Sequence, residues 1–278
     1  MSRYFFRTAV ATLVAALAVS SARAQVVTTT SPNGWFFFDG KTCAPTCPGP
    51  DPATITGAKP FAGNGSLQFT VSGTSQQPVA YYPLAKPISL QSLNGLGFSY
   101  LAALGEVGDP VLRLDLSGLS NTGGSSSGSL GWYGPTPAGG WTTDAFTLTN
   151  GNFFFRTVGK GQAATGCGNT SYTGGFSDRL QTIQDWIDAC TGLLGTINLG
   201  NAVVNAVQVD YGSFPGLVGS TSVYADGVNF SLGSENSLEG GNFNFELAGT
   251  VTPEPATMTL LGIGLVGLLG SKRRKRPR

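Results

Sequence analysis

Not one of the 278 residues is histidine. That zero removes the usual general base near neutral pH, the Ser-His and Cys-His nucleophile pairs, and every imidazole metal site. The stretch Gly124-Ser125-Ser126-Ser127-Gly128 spells G-x-S-x-G. It lies in a Gly/Ser-rich loop with no base to activate it, so it is no nucleophile elbow. Glutamate is scarce as well: between the terminal segments only Glu106, Glu235, Glu239 and Glu246 occur. A glycosidase needs two carboxylates flanking a cleft, about 5–9 Å apart. Glu235 and Glu239 stand in Ser-Glu-Asn-Ser-Leu-Glu-Gly-Gly, which reads as a solvated turn. No catalytic constellation remains, and a non-enzymatic protein is the expectation.

Cysteine is limited to Cys43, Cys47, Cys167 and Cys190, with no C-x2-C pair among them. A four-cysteine zinc site is therefore disfavoured against disulfides, for which an even number of cysteines in an exported segment is the usual setting. Three connectivities are open. Local pairing, Cys43 with Cys47 and Cys167 with Cys190, is expected, and closing the longer loop would contribute about 3 kcal/mol on the chain-entropy model.

The two ends carry the clearest signals. Arg3 and Arg7 precede an uncharged apolar run, and Ala22-Arg23-Ala24 is a small-x-small cleavage site. Residues 1–24 thus read as a signal peptide cut between Ala24 and Gln25. At the other end, Pro253-Glu254-Pro255 is followed by a charge-free stretch over 256–270 and six cations within 272–278. A membrane-spanning helix needs about 20 apolar residues, so this span is short and draws in its flanks. Its basic cluster would stay cytoplasmic, placing the rest outside. Gly262, Gly264 and Gly267 match GxGxxG only by spelling, since no strand precedes them and no acid follows. Close packing in lipid explains them better.

This order of signature, span and basic stop strongly resembles the PEP-CTERM sorting signal of exported bacterial proteins, on Pro253, Glu254 and Pro255. The resemblance implies recognition by an exosortase, a membrane protease-transpeptidase, with the inner membrane engaged transiently through the C-terminal helix. A permanent anchor of the same topology is the alternative. Residues 25–250 then form the exported domain and 251–278 the sorting signal. Localisation at the cell surface or in the extracellular matrix follows.

Setting aside both ends leaves seven basic residues against 14 acidic ones, a balance of −7. An acidic domain with scattered lysines has no footprint for nucleic acid. Glycine is abundant at 41, yet 17 phenylalanines can fill a core. Period-2 alternation dominates: Leu67, Phe69 and Val71; Leu112, Leu114 and Leu116; Val207, Val209 and Tyr211; Phe243, Phe245 and Leu247. Further strands are expected at 35–39, 79–82, 96–101, 146–149, 152–157 and 223–232, separated by Gly, Asn and Pro turns. One helix is expected over 178–190, capped by Asp178 with Gln181 three residues on, its apolar stripe being Leu180, Ile183, Ile187 and Cys190. About ten short strands and one helix predict an all-β antiparallel sandwich or jelly roll. The stretches 205–213 and 223–230 resemble the closing half of galactose-binding-like jelly rolls, which supports that fold.

Two candidate sites follow. Trp132, Tyr133 and Trp141 flank a Gly/Pro loop and are candidates for stacking on sugar rings, although packing of both tryptophans in the core is favoured. Asp39, Asp210 and Asp226 are candidates for a calcium site, the latter two named from the jelly-roll resemblance; satisfying turn N–H groups is the more common use. The expected function is a non-enzymatic structural or adhesive protein of the bacterial envelope and exopolysaccharide matrix. A carbohydrate-binding module is the alternative, and an atypical polysaccharide hydrolase the second.

Overall fold

Each alternating run becomes a strand because successive side chains leave a strand on opposite faces, one toward a core and one toward water. The structure, a computed structural model, describes residues 24–40, 53–71, 76–102, 109–120, 127–132, 134, 139–157, 180–190, 197–212, 221–233 and 239–248. Residues 1–247 form one compact unit and 248–278 a second; every element below belongs to the first.

The strands are β1 (Gln25–Val27), β2 (Phe36–Asp39), β3 (Thr54–Thr56), β4 (Ser66–Val71), β5 (Pro78–Ser89), β6 (Leu93–Ala102), β7 (Val111–Ser117), β8 (Gly128–Trp132), β9 (Thr142–Phe146), β10 (Phe153–Thr157), β11 (Val203–Asp210), β12 (Thr221–Leu232) and β13 (Glu239–Phe245). They make two sheets. The seven-stranded first sheet runs β1-β13-β12-β4-β3, with β6 on the other flank of β12 and β9 beyond it. The six-stranded second sheet runs β10-β8-β7-β11-β5-β2. Only β1 with β13 is a parallel pair among these ladders; the rest are antiparallel.

One apolar core joins the two sheets. Leu67, Phe69 and Val71 of β4 are fully buried, as are Leu112 and Leu114 of β7 and Val207 and Val209 of β11. Aromatic rings span the gap. Tyr82 of β5 lies 5.3 Å from Phe230 of β12, and Trp132 of β8 lies 5.3 Å from Phe98 of β6. Trp35, buried before β2, meets Phe243 and Phe245 edge-on at 5.4 and 5.3 Å.

The helix, α1, runs Ile183–Ala189 and starts later than expected. Asp178 lies outside the described residues. Gln181 does not serve as the third helical residue, because it exchanges backbone hydrogen bonds with Phe153 at 2.9 and 3.3 Å. Thr182 is the cap instead: its hydroxyl accepts from the Asp185 N–H at 3.1 Å, and the Asp185 carboxylate accepts from the Thr182 N–H at 3.2 Å. Most of the expected apolar face is retained, but Leu180 precedes the helix and is half-buried. Ile183, Ile187 and Cys190 are buried with Trp186, whose indole N–H donates to the Phe153 carbonyl at 2.7 Å.

The strand expected at 146–149 is displaced. Residues 142–146 form β9, and the following turn is closed by the Thr147 N–H donating to the Asn150 side chain. Among the described residues no helix is long and apolar enough to cross a membrane. All of the signal peptide expected at 1–24 except Ala24, the apolar span at 256–270 and the sorting signature lie outside the described residues.

Candidate functional site

Register sets the site. Across the outward face of the second sheet, Phe36 pairs with Tyr81, Tyr81 with Gln208, Gln208 with Arg113, Arg113 with Gly131, and Gly131 with Phe154. Six strands therefore place one row of side chains perpendicular to the chain direction, roughly 24 Å long at ordinary strand spacing. The row begins and ends on an aromatic ring and holds amide and guanidinium groups between.

Each member is held. Phe36, on the edge strand β2, is 48% exposed. Tyr81 meets Phe38 edge-on at 5.9 Å. Arg113 grips Asp210 in a fork, Nε to Oδ2 at 2.8 Å and an Nη to Oδ1 at 3.1 Å. Gln208 donates to the same carboxylate at 3.3 Å. The ring of Phe154 carries the Arg113 guanidinium at 5.6 Å and that of Arg156 at 5.5 Å, within cation–π range. Gly131 must be glycine, since a Cβ there would come within 2.4 Å of the Phe154 ring.

Beside the row opens a cleft of about 380 Å³ lined by Tyr81, Arg113, Asp115, Ser129, Asn205 and Gln208. Burial raises Asp115 to about 6; the Arg113 cation pulls it down and Asp210 pushes it up. Burial likewise lowers Arg156 to about 10, helped by the charge of Arg113 and opposed by Asp210. Tyr81 is raised by burial and by Asp115. Two cations and two carboxylates thus share one face, and their fields largely cancel at a distance. What remains is hydrogen-bonding geometry at short range, suited to a neutral, hydroxyl-rich ligand.

The residues expected from sequence fall elsewhere. Trp132 is 3% exposed, its ring packed against Phe98, Tyr100 and Phe146. It faces inward from β8, so the core packing favoured from sequence holds for Trp132 and its candidacy for sugar stacking is corrected. Trp141 is half-buried and tilted at 48° against Phe61, centroids 5.0 Å apart. Tyr133 lies outside the described residues. Cys190 is buried and disulfide-bonded; Cys43, Cys47 and Cys167 lie outside the described residues, so the pairing expected for them does too. Gln25 opens β1, directly after Ala24.

The three aspartates do not form a calcium site together. Asp39 and Asp210 sit one register position apart across β5, opposite Pro78 and Val79, and so face opposite ways. Asp39 accepts from the Gln77 N–H at 3.1 Å, while Asp210 is taken by Arg113. Asp226 belongs to the first sheet, where β4 and β13 meet end to end along β12. Its Oδ1 accepts from the N–H groups of Gly227 at 2.8 Å and Phe245 at 3.0 Å, and its Oδ2 from Ala62 at 3.5 Å. The carboxylate closes a gap in the ladder. Among the described residues no three acidic, cysteine or histidine side chains gather as a metal site.

The PEP-CTERM protein-sorting motif matches residues 251–275, and it implies export with a membrane-anchored sorting signal. No curated protein matches the chain. Solved structures are similar at low level, two carbohydrate-binding modules among them. One is a family 11 carbohydrate-binding module from Clostridium thermocellum in complex with a β-1,3-1,4-mixed-linked tetrasaccharide: 15% identity, 77% of this chain, 91% of that chain, TM-score 0.32. The other is a carbohydrate-binding module, CBM28, specific for non-crystalline cellulose: 12% identity, 73% of this chain, 90% of that chain, TM-score 0.26. At such TM-scores neither likeness carries an argument.

Proposed function

We propose that this chain, which carries a PEP-CTERM sorting motif, is a non-enzymatic adhesive protein of the bacterial envelope, holding polysaccharide along the outward row of the second sheet. An exosortase is its processing partner and the extracellular matrix its place of work. The row itself carries the reading: exposed Phe36 and half-buried Tyr81 continue directly into Gln208 and Arg113. Aromatic faces cover the apolar faces of sugar rings at low ordering cost. Planar amide and guanidinium groups bind pairs of neighbouring hydroxyls. Because Asp210 and Phe154 fix Arg113 beforehand, little freedom is lost on binding.

A hydrolase would need two free carboxylates facing across the cleft. Asp210 is occupied by Arg113 and Gln208, so Asp115 is the acid left among the described residues of the lining. Binding without cleavage fits that arrangement better.

The test is affinity electrophoresis of the secreted chain in gels containing its producer's extracellular polysaccharide, galactomannan or hydroxyethylcellulose. Tyr81→Ala with Gln208→Ala should markedly weaken retardation in the gel that retards the wild type, with an unchanged far-UV spectrum. Unaltered retardation of the folded double variant refutes the reading. Release of reducing ends from any of the three polymers would restore the hydrolase.

A further inference from the structure

The first sheet has an outward face of its own. Where β4 and β13 meet on β12, two buried acids clamp the preceding loop. Asp226 accepts from the Ala62 N–H at 3.5 Å, and Glu246 accepts from the Asn64 N–H at 2.6 Å and the Asn244 amide at 2.6 Å. Asn64 in turn accepts from the Leu247 N–H at 3.0 Å. Gly63 sits at φ +76°, and a Cβ there would overlap the Glu246 carboxylate at 1.6 Å. The loop is therefore fixed, and it holds Phe61 42% exposed against Trp141. A large apolar ring held in water by buried carboxylates serves no core. Its edge passes over Gly227, where an added Cβ would lie 3.8 Å from the ring.

From this aromatic pair a polar track continues along the same face. Asp226 registers with Ser99 and Ser99 with Thr143; Asn229 registers with Asn242 and Gly97, and Ser231 with Gly240 and Gly95. Ser99 and Thr143 share a hydrogen bond of 2.8 Å. The far end is a groove of about 390 Å³ lined by Gly95, Asn229, Ser231, Glu239, Gly240 and Asn242. Glycine at 95 leaves open space, for a Cβ would meet nothing within 4 Å. Ser99 and Gly95 are four residues apart on β6, roughly 13 Å at strand rise. Glu239, at one end of the groove, accepts from the Ala85 N–H at 3.1 Å.

We infer that this face is a second saccharide site, for a neutral polysaccharide segment whose rings stack on Phe61 and Trp141. Its hydroxyls meet Asn229, Asn242 and Ser231. Apart from the Glu239 carboxylate at one end, which accepts from the Ala85 N–H, the polar lining is hydroxyl and amide, which matches an uncharged polyol and gives an acidic partner nothing to pair with. Taken with the row on the second sheet, on which this part rests, the domain is divalent. It bridges two polysaccharide strands and gains avidity without further contacts.

The experiment uses the secreted chain on beads coated with whichever of those three polysaccharides retards the wild type, scoring both binding and bead aggregation. Phe61→Ala with Trp141→Ala should retain binding, through the second sheet, and lose aggregation. Gly95→Leu fills the groove without touching the aromatic pair and should do the same, so a folding fault in the first variant cannot decide the matter. In each variant the second-sheet affinity stays within twofold, while direct titration loses one of two sites. Aggregation undiminished in both variants overturns the inference. So does Tyr81→Ala with Gln208→Ala losing all binding, which leaves the second-sheet reading standing alone. If that variant instead keeps both sites, the second-sheet reading fails and this one remains. Aggregation of wild type on uncoated beads, or a dimer that Phe61→Ala dissociates, identifies the face as a contact between copies of the chain and overturns the proposal.

Discussion

The two outward faces use acidic residues in opposite ways. On the second sheet Asp210 turns outward to fix a guanidinium, and charge is displayed in a paired and forked form. On the first sheet Asp226 and Glu246 turn into the structure to hold backbone N–H groups, and the display is left to Phe61, Trp141 and amides. One face is therefore ordered by charge pairing between side chains, the other by carboxylates stitching main chain. A strand-end aspartate says nothing of which use it has until its neighbours are known. That is why a shared calcium site, with Asp210 and Asp226 named from the jelly-roll resemblance, fails in space.

Breaking the ion pair should have the largest effect. Asp210→Ala strands the nearly buried Arg113 and should cost about 3–5 kcal/mol in urea unfolding. A loss under 1 kcal/mol would mean that the fork contributes orientation and not stability.

Next comes the stitch on the first sheet. Gly63→Ala forces a Cβ into the Glu246 carboxylate at a φ of +76°, and should cost about 1–3 kcal/mol. Gly95→Leu, in open space on the same sheet, should stay within about 0.5 kcal/mol. Equal losses for the two glycines would erase the distinction between clamped loop and open groove.

Acid sharpens the comparison further. Burial raises Asp226 to about 7 and Asp109 to about 7, from an ordinary 3.8, and Asp115 to about 6. The folded state then holds more protons than the unfolded one between about pH 4 and pH 7. Stability is accordingly greatest below about pH 4, as far as these groups are concerned, and falls as pH rises through that window. Urea midpoints should be higher at pH 5 than at pH 8. Asp226→Asn, which keeps an acceptor for the Gly227 and Phe245 N–H groups, should flatten the curve. An unchanged slope in that variant would assign the effect to Asp109 and Asp115. Smallest of all, Phe36→Ala should alter stability by less than about 0.5 kcal/mol, since its ring is half in water.

Much of the fold was legible because alternation is a local signal. The runs at Leu67, Leu112 and Val207 became β4, β7 and β11. What escaped had local reasons. β1 and β3 have three residues each, too few to show a period. β8 reads as Gly/Ser loop because Gly128 and Gly131 exist to admit the Arg156 carbonyl and the Phe154 ring from β10. The true helix cap was visible as Thr182 followed three residues later by Asp185, and lost to the earlier Asp178. The candidate row was not legible at all. Phe36, Tyr81, Gln208 and Arg113 come from four distant strands, and only pairing register brings them together. Trp132 attracted notice as an aromatic beside a loop, yet its strand parity turns it inward.

The most direct test of polysaccharide binding at the second sheet is amide and side-chain NMR of the secreted chain titrated with oligosaccharides cut from the polysaccharide that retards it. Within the second sheet, shifts should concentrate on Phe36, Tyr81, Asn205, Gln208 and the Arg113 guanidinium, and saturate together. Shifts confined to the loops at the ends of the sandwich, with that row unmoved, would contradict the account.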